Sequence, residues 1–144
     1  MQQMLIDSLG DELYEALIAG RQVEPLTNRH AAITNEDAYL IQRRLVARRT
    51  AAGERIIGKK IGVTSDVVKK MLGVDQPDFG FLFDSMRHET GASLSISGNR
   101  LIQPRAEGEI AFVLAKDLAG SGVTRQDVMD ATDYVLPCFE IVDS

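Results

Sequence analysis

The sequence predicts an α+β fold, helical in its amino-terminal part and β-rich beyond, forming a single domain portion over residues 1–144. Three observations carry this expectation. Leu5, Leu9, Leu13 and Leu17 recur every fourth residue, the stripe of an amphipathic helix. Thr34-Asn35-Glu36-Asp37 has the form of a capping box that opens a second helix. From residue 54 onward, short apolar and β-branched runs bounded by Gly, Pro and Asp replace the helical period. Residues 1–53 are thus read as mainly helical and 54–144 as the first part of a β-rich region.

The elements follow in order. The first helix ends near Gly20, and a loop holding Pro25 and Asn28 leads to the second, whose apolar positions include Ala38, Ile41 and Leu45 and whose stop is Gly53. Arg55 to Ile61 is β-prone. Gly62 and Thr64-Ser65 close it, and either hydroxyl can cap a short helix carrying Val67, Val68, Met71 and Leu72 before Gly73. A turn at Asp75-Gln76-Pro77-Asp78 leads into Phe79 to Phe83, short enough for a buried strand, and Ser93 to Ser97 alternates as a half-exposed strand would. Glu107 to Leu114 reads as a strand. Thr124-Arg125-Gln126-Asp127 caps a further helix, and Tyr134 to Val142 is an apolar, β-rich segment. The chain stops at Ser144 directly after that segment, with nothing to cover the edge it leaves, which reads as a truncated portion.

Composition narrows the function classes. With 44% hydrophobic and 26% charged residues the chain can bury a modest core, and its net charge of -5 argues against a general nucleic-acid binder. Arg43-Arg44 and Arg48-Arg49 fall within the second helix and read as a solvated face. One cysteine, Cys138, permits neither a disulfide framework nor a cysteine-rich zinc site within the chain, and fits a reducing compartment. No apolar run reaches membrane-spanning length, and residues 1–20 are acidic without a basic leader, so the expected location is cytoplasmic, with no membrane partner.

The most informative stretch is Pro104-Arg105-Ala106-Glu107-Gly108-Glu109-Ile110-Ala111-Phe112. On a strand, Glu107 and Glu109 share one face, roughly 6.5–7 Å apart along the backbone, so both heads can lean onto one small hard cation. Alternating acids also decorate ordinary solvent faces of strands. Here, however, the carboxylate face continues as Ala111 and Val113, so the acids sit where that face becomes buried. Glu140 is the only acid in the apolar segment 135–142 and needs a partner, either a cation shared with the other two glutamates or an arginine such as Arg105. Three glutamates with oxygen-only ligation favour magnesium or manganese over zinc.

Two further residues suggest acid–base or polar work. Adjacent Lys59 and Lys60 point to opposite faces of a strand, so Lys60 can hold a substrate carboxylate or enolate oxygen, or both can be solvated lysines near a strand end. Asp78, between Pro77 and Phe79, is either a turn-forming aspartate or a carboxyl group against an aromatic ring, where it can exchange protons. His30 and His88 show no metal-ligand spacing, and no GxSxG, P-loop or GxGxxG pattern occurs.

Taken together, Gly58-Lys59-Lys60-Ile61-Gly62-Val63-Thr64-Ser65, Gln76-Pro77-Asp78-Phe79-Gly80, the Gln103 to Ala111 stretch and Pro137-Cys138-Phe139-Glu140-Ile141-Val142-Asp143-Ser144 resemble the 2-hydroxypenta-2,4-dienoate (2-keto-4-pentenoate) hydratases of the fumarylacetoacetate hydrolase superfamily. The resemblance runs the length of the chain but covers only the amino-terminal part of such proteins. It implies helices packed on part of a mixed β-sheet roll, and a metal-dependent addition of water to 2-hydroxypenta-2,4-dienoate, giving 4-hydroxy-2-oxopentanoate in meta-cleavage degradation of aromatic compounds. Glu107, Glu109 and Glu140 would be the ligands of Mg2+ or Mn2+, and Lys60 and Asp78 the polar catalytic residues. A homo-oligomer, a small 2-oxo or 2-hydroxydienoate substrate and association with the pathway decarboxylase are further implications. The related 4-oxalocrotonate decarboxylases share the glutamates and the Gly-x-Thr-Ser turn but typically carry an aliphatic residue where this chain has Asp78. Decarboxylation is therefore the alternative activity, and a noncatalytic fragment or assembly module a third reading.

Overall fold

In the computed structural model, which describes residues 1–99 and 101–143, the chain folds as two compact units, Met1–Leu94 and Ser95–Ser144. The first is built on two long helices. α1 (Gln3–Ala19) and α3 (Asn35–Ala51) pack through Ile6, Leu9 and Ile41, with Leu5, Leu13, Leu26, Ile33 and Leu40 closing around them. The buried stripe of α1 is Ile6, Leu9, Gly10 and Ala16, while Leu17, on the expected stripe, is exposed. At Gly10 the two helices approach closely: a Cβ there would lie 2.5 Å from Arg44 Cβ and 2.9 Å from the Ile41 carbonyl oxygen.

Local signals set the boundaries of both helices. Gly20, in the left-handed region at φ 60°, ends α1, and its N–H donates to the carbonyl groups near the helix end. Thr34 and Asp37 form the expected reciprocal cap of α3. Between them, part of the expected loop is a single turn of helix, α2 (Leu26–Arg29), started by Pro25.

Of the four arginines of α3 expected on a solvated face, Arg43 is exposed, but Arg44, Arg48 and Arg49 are engaged in ion pairs. Arg44 donates through Nε and Nη2 to both Asp11 oxygens at 2.8 and 2.9 Å, and Arg48 bridges Asp11 and Glu15 while stacking 4.5 Å over the Tyr14 ring. Arg49 is buried, 4.0 Å over the Phe83 ring, and it pairs with Glu54, which also accepts from Ser85. The expectation failed because net sequence polarity does not register that guanidinium stems pack on apolar surface while their heads find carboxylates on neighbouring elements.

Hydrogen bonds from Arg44 and Arg48 hold the Asp11 carboxyl down at about 2, and those from Thr34 do the same for Asp37, whereas both groups titrate near 3.8 when unfolded. A depressed folded pKa stabilises above the unfolded value and is lost as the pH falls through the folded one. The thermal midpoint should therefore hold steady from pH 7 to 5 and fall from about pH 4 to 2. In Asp11→Asn, circular dichroism melts should show a shallower acid decline; an unchanged decline would remove Asp11 from the account.

Two β-strands complete this unit. β1 (Ile56–Gly62) pairs antiparallel with β2 (Asp78–Phe83), in a register that sets Lys60 opposite Gly80 and Gly62 opposite Asp78. Between them, α4 (Asp66–Leu72) is capped by the Ser65 hydroxyl and ended by Gly73 at φ 69°. β2 is half-buried rather than buried, and only Phe83 is fully enclosed. It is tied to α3 by the Gln42 side-chain amide, which donates to the Phe79 carbonyl at 3.0 Å, and by the Tyr39–Phe79 ring pair.

The second unit is organised around a long antiparallel pair, β3 (Arg105–Leu114) with β4 (Thr132–Val142). α6 (Arg125–Ala131), capped by Thr124 and Asp127, runs directly into β4, and Ala115 N–H donates to the Ala131 carbonyl at 2.8 Å. The expected strand over Ser93 to Ser97 does not form. The Ser95 hydroxyl instead accepts from Gly98 N–H and the chain turns into α5 (Ile96–Asn99), the local competition by which serine favours caps over strands. Among the described residues no helix is long and apolar enough to cross a membrane.

Candidate metal centre and catalytic pair

Register alone brings the three glutamates together. Glu107 lies directly opposite Glu140 in the β3–β4 ladder and Glu109 opposite Cys138, so all four share a face with Ala111 and Val113. One carboxylate oxygen from each of Glu107, Glu109 and Glu140 lies within 4.8 Å of the others. Donors on opposite sides of one cation with metal–oxygen distances of about 2.0–2.6 Å stand at about that separation, so the spread suits a single coordination sphere. The donors are hard, oxygen-only and negatively charged, which fits magnesium, manganese or calcium and leaves positions for water or a chelating ligand. The half-buried Glu140 is the innermost of the three, while Glu107 and Glu109 are exposed. Ala111 and Val113 are half-buried, so the acids do stand at the open end of a partly covered face. The opposite face, with Ile110, Phe112 and Phe139, is apolar and exposed.

One end of this ladder is fastened by a residue that sequence reasoning assigned no role. Asp143 accepts from the backbone N–H of Ile102 at 2.9 Å and of Gln103 at 2.7 Å, so one carboxylate ties the entry to β3 to the exit from β4. Its only sequence signal was an acid just past the β4 segment; the partners are backbone groups, which no side-chain pattern reports.

Lys60 and Asp78 belong to the first unit and form a second grouping. They are diagonal neighbours on one face of the β1–β2 ladder, each cross-strand from a glycine. Lys59 is exposed and Lys60 half-buried, in keeping with the expectation that adjacent lysines face opposite ways. Asp78 is the first residue of β2 rather than a turn residue, and it is exposed. The picture of its carboxyl against the Phe79 ring does not hold: successive strand residues point to opposite faces, and the Phe79 ring packs toward Tyr39 at 6.3 Å.

The architecture matches a known class. Over the whole chain the fold superposes, with a TM-score of 0.93 and 33% sequence identity, on 54% of 4-oxalocrotonate decarboxylase from Pseudomonas putida G7 complexed with magnesium and adipate, a protein of the fumarylacetoacetate hydrolase type. The same decarboxylase complexed with calcium and acetate matches equally well. In sequence the similarity is to hydratases. The chain is 60% identical over its full 144 residues to 2-hydroxypent-2,4-dienoate hydratase of Pseudomonas putida, covering 64% of that protein. It is 59% identical over 142 residues to 2-hydroxyhexa-2,4-dienoate hydratase of Comamonas testosteroni, covering 54%, and 43% identical over 138 residues to 2-keto-4-pentenoate hydratase of Paraburkholderia xenovorans, covering 51%. The chain thus spans between half and two thirds of the length of these relatives. No family model matches the chain. The resemblance drawn from the four motifs therefore holds along the entire chain, in sequence to the dienoate hydratases and in fold to a decarboxylase of the same type.

Proposed function

We propose that the protein carrying this chain is a hydro-lyase that adds water to 2-hydroxypenta-2,4-dienoate, giving 4-hydroxy-2-oxopentanoate in meta-cleavage degradation of aromatic compounds. One observation carries the reading: three glutamates gathered on one face of a strand pair, in a chain 60% identical throughout to a dienoate hydratase. Glu107, Glu109 and Glu140 would hold Mg2+ or Mn2+, which when bound supplies a Lewis acid to the 2-oxygen and carboxylate of the substrate.

The chain's own polar residues handle protons. Ketonisation removes the proton of the 2-hydroxyl and delivers one to C5, which moves the remaining double bond to C3–C4. Water then adds across that bond, oxygen at C4 and hydrogen at C3. Lys60 and Asp78 are the donor and acceptor groups assigned to these transfers, and the Lys60 ammonium also offers a positive charge to the substrate carboxylate or to the oxygen that gains charge. The reaction needs no redox cofactor, and the single free thiol of Cys138 suits the cytoplasm. Self-association, and association with the decarboxylase of the pathway, complete the proposal.

The fold neighbour makes decarboxylation of 4-oxalocrotonate the competing activity. Asp78 and the higher identity to hydratases favour hydration. The two are separated by product. Full-length protein with magnesium should bleach the dienol absorbance and yield 4-hydroxy-2-oxopentanoate; carbon dioxide released from 4-oxalocrotonate, with the dienol untouched, would transfer the assignment to the decarboxylases. Inertness toward both would favour an assembly module.

A further inference from the structure

The face of the β1–β2 ladder that carries Lys60 and Asp78 also carries Gly62 and Gly80, and the four residues form a two-by-two block. Lys60 stands opposite Gly80, and Gly62 opposite Asp78. Glycine inside a strand weakens it relative to alanine, and a cross-strand pair of such positions, each facing a polar side chain, suggests that something passes close to the backbone there. What passes is the Lys60 side chain. A Cβ on Gly80 would lie 2.9 Å from both Cγ and Cδ of Lys60, so the lysine stem crosses directly over the Gly80 Cα. A Cβ on Gly62 would run into the Asp78 carboxylate and stand 3.2 Å from Lys60 Nζ, so both heads flank the same point of the sheet.

We infer that Gly62 and Gly80 are positioning residues: together they leave a lane without other side chains in which Lys60 lies flat across the ladder and brings its ammonium to the side of Gly62 where the Asp78 carboxylate also stands. The inference rests on the catalytic assignment of Lys60 and Asp78 above. A lysine side chain has four rotatable carbon–carbon bonds and, standing off a sheet, would sample many directions. Removing two Cβ atoms from its path selects the lowered conformer and fixes where the charge arrives. The clashing atoms are the middle of the lysine stem and a carboxylate already in place. An added methyl group would therefore lift the lysine or turn the aspartate aside. Gly58 lies on the same strand and the same face, yet a Cβ there would meet only Leu82 Cδ1 at 3.6 Å, an ordinary contact. It supplies the control.

In the full-length protein, Gly80→Ala and Gly62→Ala should each lower kcat for the dienol at least tenfold with KM within twofold, while Gly58→Ala keeps both. A readout independent of activity is the resonance of Lys60 after reductive 13C-methylation, identified by its disappearance in Lys60→Arg. Asp78→Asn should shift that resonance in the wild-type background and leave it unmoved in the Gly80→Ala background. Wild-type kcat in both alanine variants, with the Asp78→Asn shift retained, would overturn the inference. Should wild-type protein fail to hydrate the dienol, the proposed function falls and the resonance alone decides the lane. Should Gly80→Ala not fold, a Lys60 resonance indifferent to Asp78→Asn in the wild-type background would equally overturn it.

Discussion

Glu107→Gln in the full-length protein should lower magnesium-supported turnover of the dienol by at least about 100-fold, while the melting curve without metal stays within a few degrees of wild type. The expected size follows from the chemistry: removing one anionic oxygen donor weakens ion binding and the Lewis-acid contribution, which supplies several kcal/mol, and about 2.7 kcal/mol already corresponds to 100-fold. The fold should tolerate the change because Glu107 is exposed and sits among like charges. Amide for carboxylate preserves shape while relieving repulsion across the ladder from Glu140. Glu140→Gln should lose as much activity, whereas substitution of the exposed Glu36 should lose none. Undiminished turnover in Glu107→Gln would remove it from the ligand set.

Phe83→Ala should be the most destabilising single truncation of the first unit, at about 3–5 kcal/mol in urea or thermal unfolding. Phe83 is 1% exposed at the end of β2, and Arg49 lies across its ring with its own head held by Glu54. Truncation would leave a cavity and strip the ring from a buried guanidinium that remains charged. The damage should reach Asp78, at the other end of the same strand, so turnover should fall even in the folded fraction. A loss below about 1 kcal/mol would mean that the ring and the arginine are not the anchor between α3 and β2.

The readability of this fold followed the range of the interactions involved. Helix ends at Gly20, Thr34, Ser65 and Thr124 were legible because caps are decided within four residues. Ser93 to Ser97 misled because alternation is a short-range signal that one serine hydroxyl can divert. The burial of Arg49 was invisible because its partners, Glu54 and Phe83, come from two later segments.

The candidate site shows the same division. The Glu107-x-Glu109 spacing placed two carboxylates on one face without reference to anything distant. The pairing of Glu107 with Glu140, 33 positions apart, depends on a register set by the loop and helix between the strands, which no local pattern encodes. The motif resemblance supplied what periodicity could not. Neither route exposed the tie from Asp143 to two backbone N–H groups or the path of the Lys60 stem over Gly80, since each is a relation between a side chain and a backbone.

If Glu107, Glu109 and Glu140 together hold one divalent cation, manganese binding followed by electron paramagnetic resonance reveals it without requiring turnover. Titration of full-length protein should reveal one bound Mn2+ per chain, displaced by excess Mg2+, and Glu107→Gln/Glu109→Gln should leave the added manganese free in solution. Stoichiometric, magnesium-sensitive binding that persists in the double variant would place the ion elsewhere and contradict the account.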